Sequence, residues 1–87
     1  MVYLQITDAQ IHPGFFKTES IIDVPVRGGS VEHFIDNRCI NRFNRIEAWV
    51  IDKGEGDYQD YFLVRLPYCC DSFTNWIHRQ HLVEEGD

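Results

Sequence analysis

Basic residues are scarce in this chain: 8 Lys and Arg stand against 14 Asp and Glu, a formal net charge of −6. Non-specific nucleic-acid binding needs a cationic footprint, so the balance disfavours it. Cysteine is sparse and odd in number, with Cys39, Cys69 and Cys70 alone. The neighbours Cys69 and Cys70 rarely bond to each other, because the small ring strains the peptide between them. Reduced thiols in the cytoplasm are therefore expected. No apolar run approaches the ~20 residues that span a bilayer, and Met1-Val2-Tyr3-Leu4-Gln5-Ile6 turns polar too soon for a secretory leader. Motifs of catalysis are missing as well. There is no Gly-x-Ser-x-Gly, no phosphate-binding glycine loop and no His-Glu-x-x-His.

What remains is a chain of 87 residues, 44% hydrophobic and 14% aromatic, which suits one small β-rich domain with a modest core. Val2, Leu4 and Ile6 alternate with polar partners, the period of a half-buried strand. His12-Pro13-Gly14 reads as a turn. Ile22, Val24 and Val26 form a second strand, and Pro25 marks it as an edge strand or a bulge because it lacks an N–H. Gly28-Gly29-Ser30 turns the chain into a third strand from Val31 to about Ile35, closing a hairpin. Residues 31–44 also carry helix-like apolar spacing, so a short helix is the alternative there. On a helix, however, Arg38, Arg42 and Arg45 would share the arc of the apolar residues. Ile46 to Asp52 and Tyr61 to Leu66 are the clearest strands and are expected to pair across the Lys53-Gly54-Glu55-Gly56-Asp57 turn. Phe73 to Ile77 and Leu82-Val83 complete the sheet. The organisation expected is an N-terminal strand and loop extension over 1–19, a β-barrel core over 20–84 and a frayed acidic tail over 85–87.

Residues 46–84 run strand, glycine-containing turn, strand, loop, and then Asn75-Trp76-Ile77-His78-Arg79-Gln80-His81-Leu82-Val83-Glu84. That closing phrase resembles the end of SH3-like small β-barrels, where an aromatic residue, a one-turn 3₁₀ segment and an apolar pair complete the barrel. The resemblance implies a mainly β fold, either such a barrel or a compact antiparallel sheet domain, used as an accessory or interaction module. The motifs of the peptide-binding SH3 domains are absent. No Ala-Leu-Tyr-Asp-Tyr type sequence occurs, and His78, Arg79 and Gln80 stand where those domains carry Pro and Tyr.

Three side-chain groups carry chemistry. Asn37-Arg38, Asn41-Arg42 and Asn44-Arg45 flank Phe43, and arginine forks recognise carboxylate or phosphate. Such a loop binds an acidic partner, or stacks RNA on Phe43, or pairs with the chain's own acids, such as those from Asp52 to Asp60. Cys69, Cys70, His78 and His81 match zinc in ligand type, but adjacent cysteines seldom face one metal, so no metal and no cofactor are expected. The aromatics Trp49, Trp76, Tyr58, Tyr61, Phe62 and Tyr68 cannot all face the core, because successive side chains on a strand alternate. The acids Asp52, Glu55, Asp57 and Asp60 lie in a turn open to water, which leaves no poised catalytic group.

The reading is a non-catalytic protein-binding domain: an accessory subunit, adaptor or inhibitor of a larger complex. A small acidic chain also suits a phage-encoded inhibitor of a host enzyme or defence system. The expected contact residues are Arg38, Arg42, Arg45, Phe43, Trp49, Tyr61 and Trp76. The alternative is a nucleic-acid-binding barrel using loop 37–45. A membrane partner is not expected, and the chain works as a monomer or homodimer.

Overall fold

The computed structural model describes residues 1–67 and 73–85. These residues form eight antiparallel strands: β1 (Val2–Gln5), β2 (Ile11–Pro13), β3 (Glu19–Val26), β4 (Gly29–Asp36), β5 (Arg45–Lys53), β6 (Tyr61–Leu66), β7 (Phe73–His78) and β8 (Leu82–Glu84). They form a five-stranded sheet in the order β7-β6-β5-β1-β8 and a three-stranded sheet in the order β2-β3-β4. Among the described residues the helical content is confined to 3₁₀ turns at Asp8–Gln10, Asn37–Cys39, Gly56–Tyr58 and Arg79–His81. No helix is long and apolar enough to cross a membrane among the described residues.

Both sheets turn an apolar face to one core. Leu4, Ile46, Val64, Leu66 and Ile77 from the larger sheet meet Ile22, Val24 and Ile35 from the smaller, all fully buried. Each such side chain contributes about 1.5–3 kcal/mol relative to exposure. The smaller sheet is also stitched to the larger by backbone, where the Arg27 N–H donates to the Trp76 carbonyl at 3.2 Å.

Strand β5 is divided between two neighbours. Arg45 to Ala48 pair with β1, whereas Trp49 to Lys53 pair with β6, and a bulge between Val50 and Asp52 shifts the register. The hairpin expected between residues 46–52 and 61–66 is present. Its turn closes with the Gly54 N–H donating to the Tyr61 carbonyl at 3.0 Å. Gly54 is buried, and a Cβ there would fall on the Tyr58 backbone. The hairpin of β3 and β4 is in register over eight pairs, turning at Gly28 with φ 88°. Residues 31–36 are therefore strand, and the helix alternative reduces to the single turn at Asn37–Cys39.

Three local expectations change. The first strand is not an extension outside a core that starts at residue 20. β1 lies between β5 and β8, with Leu4 opposite both Ile46 and Leu82. Its alternating apolar face needs a core, and burying Leu4 and Ile6 satisfies it. His12-Pro13 is strand and not turn, because Ile11 to Pro13 pair with Ile22 to Ser20. That short β2 also makes β3 the middle strand of its sheet. Pro25 escapes the consequence because β2 ends before reaching it, so no partner on that side requires its N–H.

The shared core makes Ile46 a sensitive point, since its strand is held by both halves of the large sheet. Ile46→Ala is expected to lower the unfolding free energy by about 2–5 kcal/mol in a urea titration. A loss below about 1 kcal/mol would show that the two sheets do not pack through this side chain.

Candidate functional site

Loop 37–45 owes its shape to its asparagines. Asn37 accepts from the Ser20 hydroxyl and donates to the Lys17 carbonyl at 2.9 Å. The Asn41 Oδ1 accepts the N–H groups of Phe43 at 2.8 Å and Arg45 at 3.1 Å. Asn44 takes a left-handed φ of 58° and donates to Asp8 Oδ1 at 2.8 Å. These contacts spend the amides on building the loop, with Asn37 bonded through both ends of its side chain.

The arginines divide. Arg38 grips Asp36 with Nε at 3.1 Å and Nη2 at 2.9 Å. Hydrogen bonds from the Arg38 side chain, then from its N–H, hold the Asp36 carboxyl below its ordinary value. Arg45 donates from Nε to Gln5 Oε1 at 2.7 Å and forms an ion pair with Glu85, tying the loop to β1 and to the chain beyond β8. Arg42 is exposed, its guanidinium 4.9 Å from the Phe43 ring centroid. Phe43 itself is 55% exposed. Among the described residues, acids of the chain do pair with this loop, through Asp36 and Glu85. Next to the loop, burial pushes the Cys39 thiol up, and the Asp36 charge adds to that.

Outward from β5, Trp49 stands opposite Arg65, which stands opposite Thr74. Trp49 is 47% exposed while its neighbour Ala48 is buried, as strand alternation requires. Trp49, Ile51, Arg65, Leu66 and Pro67 line a cleft of about 550 Å³. Trp49 and Pro67 also wall a second cleft of about 350 Å³ with Tyr3, Arg38, Cys39, Asn41, Arg45 and Glu47. Arg38, Arg45 and Trp49 thus converge on adjoining clefts, with Arg42 and Phe43 outside their walls.

Tyr61 and Trp76 belong to a different group. Tyr58 lies 5.3 Å from Trp76 and 5.8 Å from Tyr61, and Tyr61 meets the His78 ring edge-on at 5.1 Å. Arg27 places its guanidinium 4.0 Å from the Tyr58 centroid and 5.7 Å from that of Tyr61. Phe62, on the opposite face of β6, packs against the core.

Among the described residues, which include His78 and His81 of the metal ligands considered from sequence, no group of three or more His, Cys, Asp and Glu side chains is placed to hold an ion. Cys69, Cys70 and Tyr68 lie outside the described residues. His78 Nδ1 accepts the Gln80 N–H at 3.0 Å and caps the last 3₁₀ turn. Burial, then the neighbouring His78, lowers the pKa of His81.

Residues that sequence reasoning passed over include Arg65 and Ile51 at the Trp49 cleft and Arg27 at the aromatic group. Phe15 and Phe16 were also missed, and they project from the turn after β2 at 82% and 70% exposure. The Phe-Phe pair directly after Pro13-Gly14 was the available signal, because a turn offers two such side chains no burial.

Arg45→Ala is expected to lower stability by about 1.5–3 kcal/mol through loss of charge-assisted hydrogen bonds at a half-buried site, while Arg42→Ala leaves the melting temperature unchanged. Equal melting temperatures for the two variants would refute this division. His81 predicts a pH dependence. Its pKa is below the ordinary 6.5, so the unfolded chain binds this proton more readily. Stability is then full above pH 6.5 and falls as the pH drops through it, levelling off below the lowered value. His81→Gln should flatten the melting curve's pH dependence in that window.

No protein-family model, curated protein or solved structure matches this chain.

Proposed function

We propose that the chain is a non-catalytic protein-binding domain of the SH3-like barrel type, acting in the cytoplasm as an accessory subunit, adaptor or inhibitor of a larger complex. The barrel reading is supported by the strand order β7-β6-β5-β1-β8, the bent strand β5 and the 3₁₀ turn that joins β7 to β8. Such barrels serve many functions, so the role has to rest on the surface.

The observation that carries the role is Trp49. A half-exposed indole, flanked by Ile51 and Pro67 with Arg65 across the strand pair, has the composition of an interface anchor. Tryptophan and arginine dominate interface hot spots because they combine large apolar area with directional polar groups. The partner segment that suits this cleft presents an apolar side chain to Trp49 and a carboxylate to Arg65, a cation without an ion pair among the described residues. The chain's small size and acidity support an inhibitor, of the kind a phage encodes against a host enzyme, as one form of this role.

The nucleic-acid alternative loses support from the same loop that suggested it. Arg38 and Arg45 are engaged by Asp36 and Glu85, which leaves Arg42 over Phe43 as its main element.

The test is affinity capture from the native host's lysate, with and without nuclease, comparing the wild type with Trp49→Ala and Arg65→Glu. A stoichiometric protein partner that survives nuclease, and that both variants lose with unchanged melting temperature, is the expected result. Truncating a hot-spot residue weakens binding by ~30-fold or more. Capture that persists in both variants, or that vanishes with nuclease, would overturn the reading.

A further inference from the structure

We propose that the cleft between the β5–β6 turn and Trp76 receives one basic side chain, a lysine or arginine of the protein partner. The inference rests on the protein-binding reading for the source of the cation only; the chemistry of the cleft stands by itself. Its volume is about 500 Å³, and it is lined by Asp52, Lys53, Gly54, Glu55, Tyr58 and Trp76. Two aromatic rings and two exposed carboxylates therefore border one space. Aromatic faces attract cations through their quadrupole, and carboxylates pair with ammonium or guanidinium by charge-assisted hydrogen bonds.

The aromatic wall is held in place. Tyr58 packs edge-on against Trp76, and Gly54 lets the turn lie directly on the Tyr58 backbone, where no side chain would fit. The group already takes a guanidinium from within the chain, since Arg27 lies over Tyr58 at 4.0 Å. Asp52 accepts only a backbone N–H, that of Lys53 at 2.8 Å, among the described hydrogen bonds, and so keeps acceptor capacity. Lys53 is the one opposing charge in the lining. It is exposed on a flexible stem, so it weakens the site without filling it.

This cleft also gives the partner a direction. Asp52, Leu63 and Trp76 form the row of outward residues next to Trp49, Arg65 and Thr74. The rows are two residues apart along β6 and β7, about 7 Å. A segment crossing both would place an acidic group near Arg65 and a basic one near Asp52.

The experiment is a titration of ¹⁵N-labelled protein with N-acetyl-arginine methylamide and N-acetyl-lysine methylamide, with the neutral citrulline analogue as control. Either basic probe should shift the Trp76 indole N–H and the amides of residues 52–55, while citrulline leaves them in place. Asp52→Asn combined with Glu55→Gln, on an exposed turn, should weaken the effect fivefold or more, and Lys53→Ala should strengthen it. Shifts equal for citrulline, shifts mapping elsewhere, or no shift at millimolar probe would overturn the proposal. Loss of lysate capture with an intact arginine response would remove the protein-binding reading and leave the cation cleft. The reverse would remove the cleft alone.

Discussion

Strand β5 has to satisfy two neighbours with one backbone, and the rest of the molecule follows from how it does so. Its first four residues pair with β1 and its last with β6, and the bulge at Ile51 lies within the second half. An extra residue in one strand bends it and increases its twist. Here the bend lets a single strand belong to both halves of the large sheet while keeping Ile46, Ala48 and Val64 on the core side. The hairpin of β3 and β4 then closes the other side of that core with Ile22, Val24 and Ile35. Without the bulge, alternation would continue unbroken from Trp49, and Ile51 and Lys53 would share its face. With it, Asp52 takes up the outward row opposite Leu63, beside Trp76. The position of a carboxylate in the proposed cation cleft thus depends on one inserted residue.

The distribution of charge has a second physical origin. In a chain of net charge −6, Arg38, Arg45 and Arg79 each form an ion pair with an acid among the described residues, and such pairs contribute little to stability when exposed. Arg38 with Asp36 is such a pair. Arg45 differs, because its side chain is half-buried and bonded on two sides, to Gln5 and to Glu85. It acts as a clasp between β1 and the end of the chain, a region further held by the Glu85 N–H donating to the Met1 carbonyl at 2.9 Å. A loop that looks like a uniform basic motif is therefore one half-buried structural arginine, one exposed arginine paired with Asp36 and one exposed arginine beside Phe43.

That difference marks how far the sequence could be read. Period-2 alternation located the strands other than the short β2, with the β3–β4 and β5–β6 hairpins, because burial on one face imposes it directly on the residue order. The wheel argument against a helix at 31–44 held for the same reason, since it compared faces and not propensities. Alternation placed Trp49 on the face opposite Ala48, and the burial of Ala48 is what makes that face the outer one. The placement of β1 was not legible: alternation shows that a strand needs a core, not which strands will supply it. Nor were Asp36 and Glu85 legible as arginine partners. Glu85 is 40 residues from Arg45, and only the pairing of β1 with β8 brings them together. Arg27 and Tyr58, 31 positions apart in the chain, meet by the same kind of tertiary accident.

The two clefts on the outer face carry opposite charge around similar aromatic anchors, and this bears on how such a small domain could be selective. Hydrophobic contact with Trp49 alone would accept many apolar side chains, since a single methylene changes affinity little. Arg65 beside one indole and Asp52 with Glu55 beside the other would penalise a segment presented in the reverse direction, placing like charges together at both ends. Specificity of this kind comes from repulsion of the wrong partner as much as from attraction of the right one. It requires the two rows to stay about 7 Å apart, a spacing set by the rise of two residues along each strand. Trp49 is held outward by the register of β5 with β6 and Trp76 by that of β6 with β7, and a one-residue slip of either outer strand would turn its anchor toward the core, so the sheet that buries Ile77 and Val64 is also what holds the two clefts in their order.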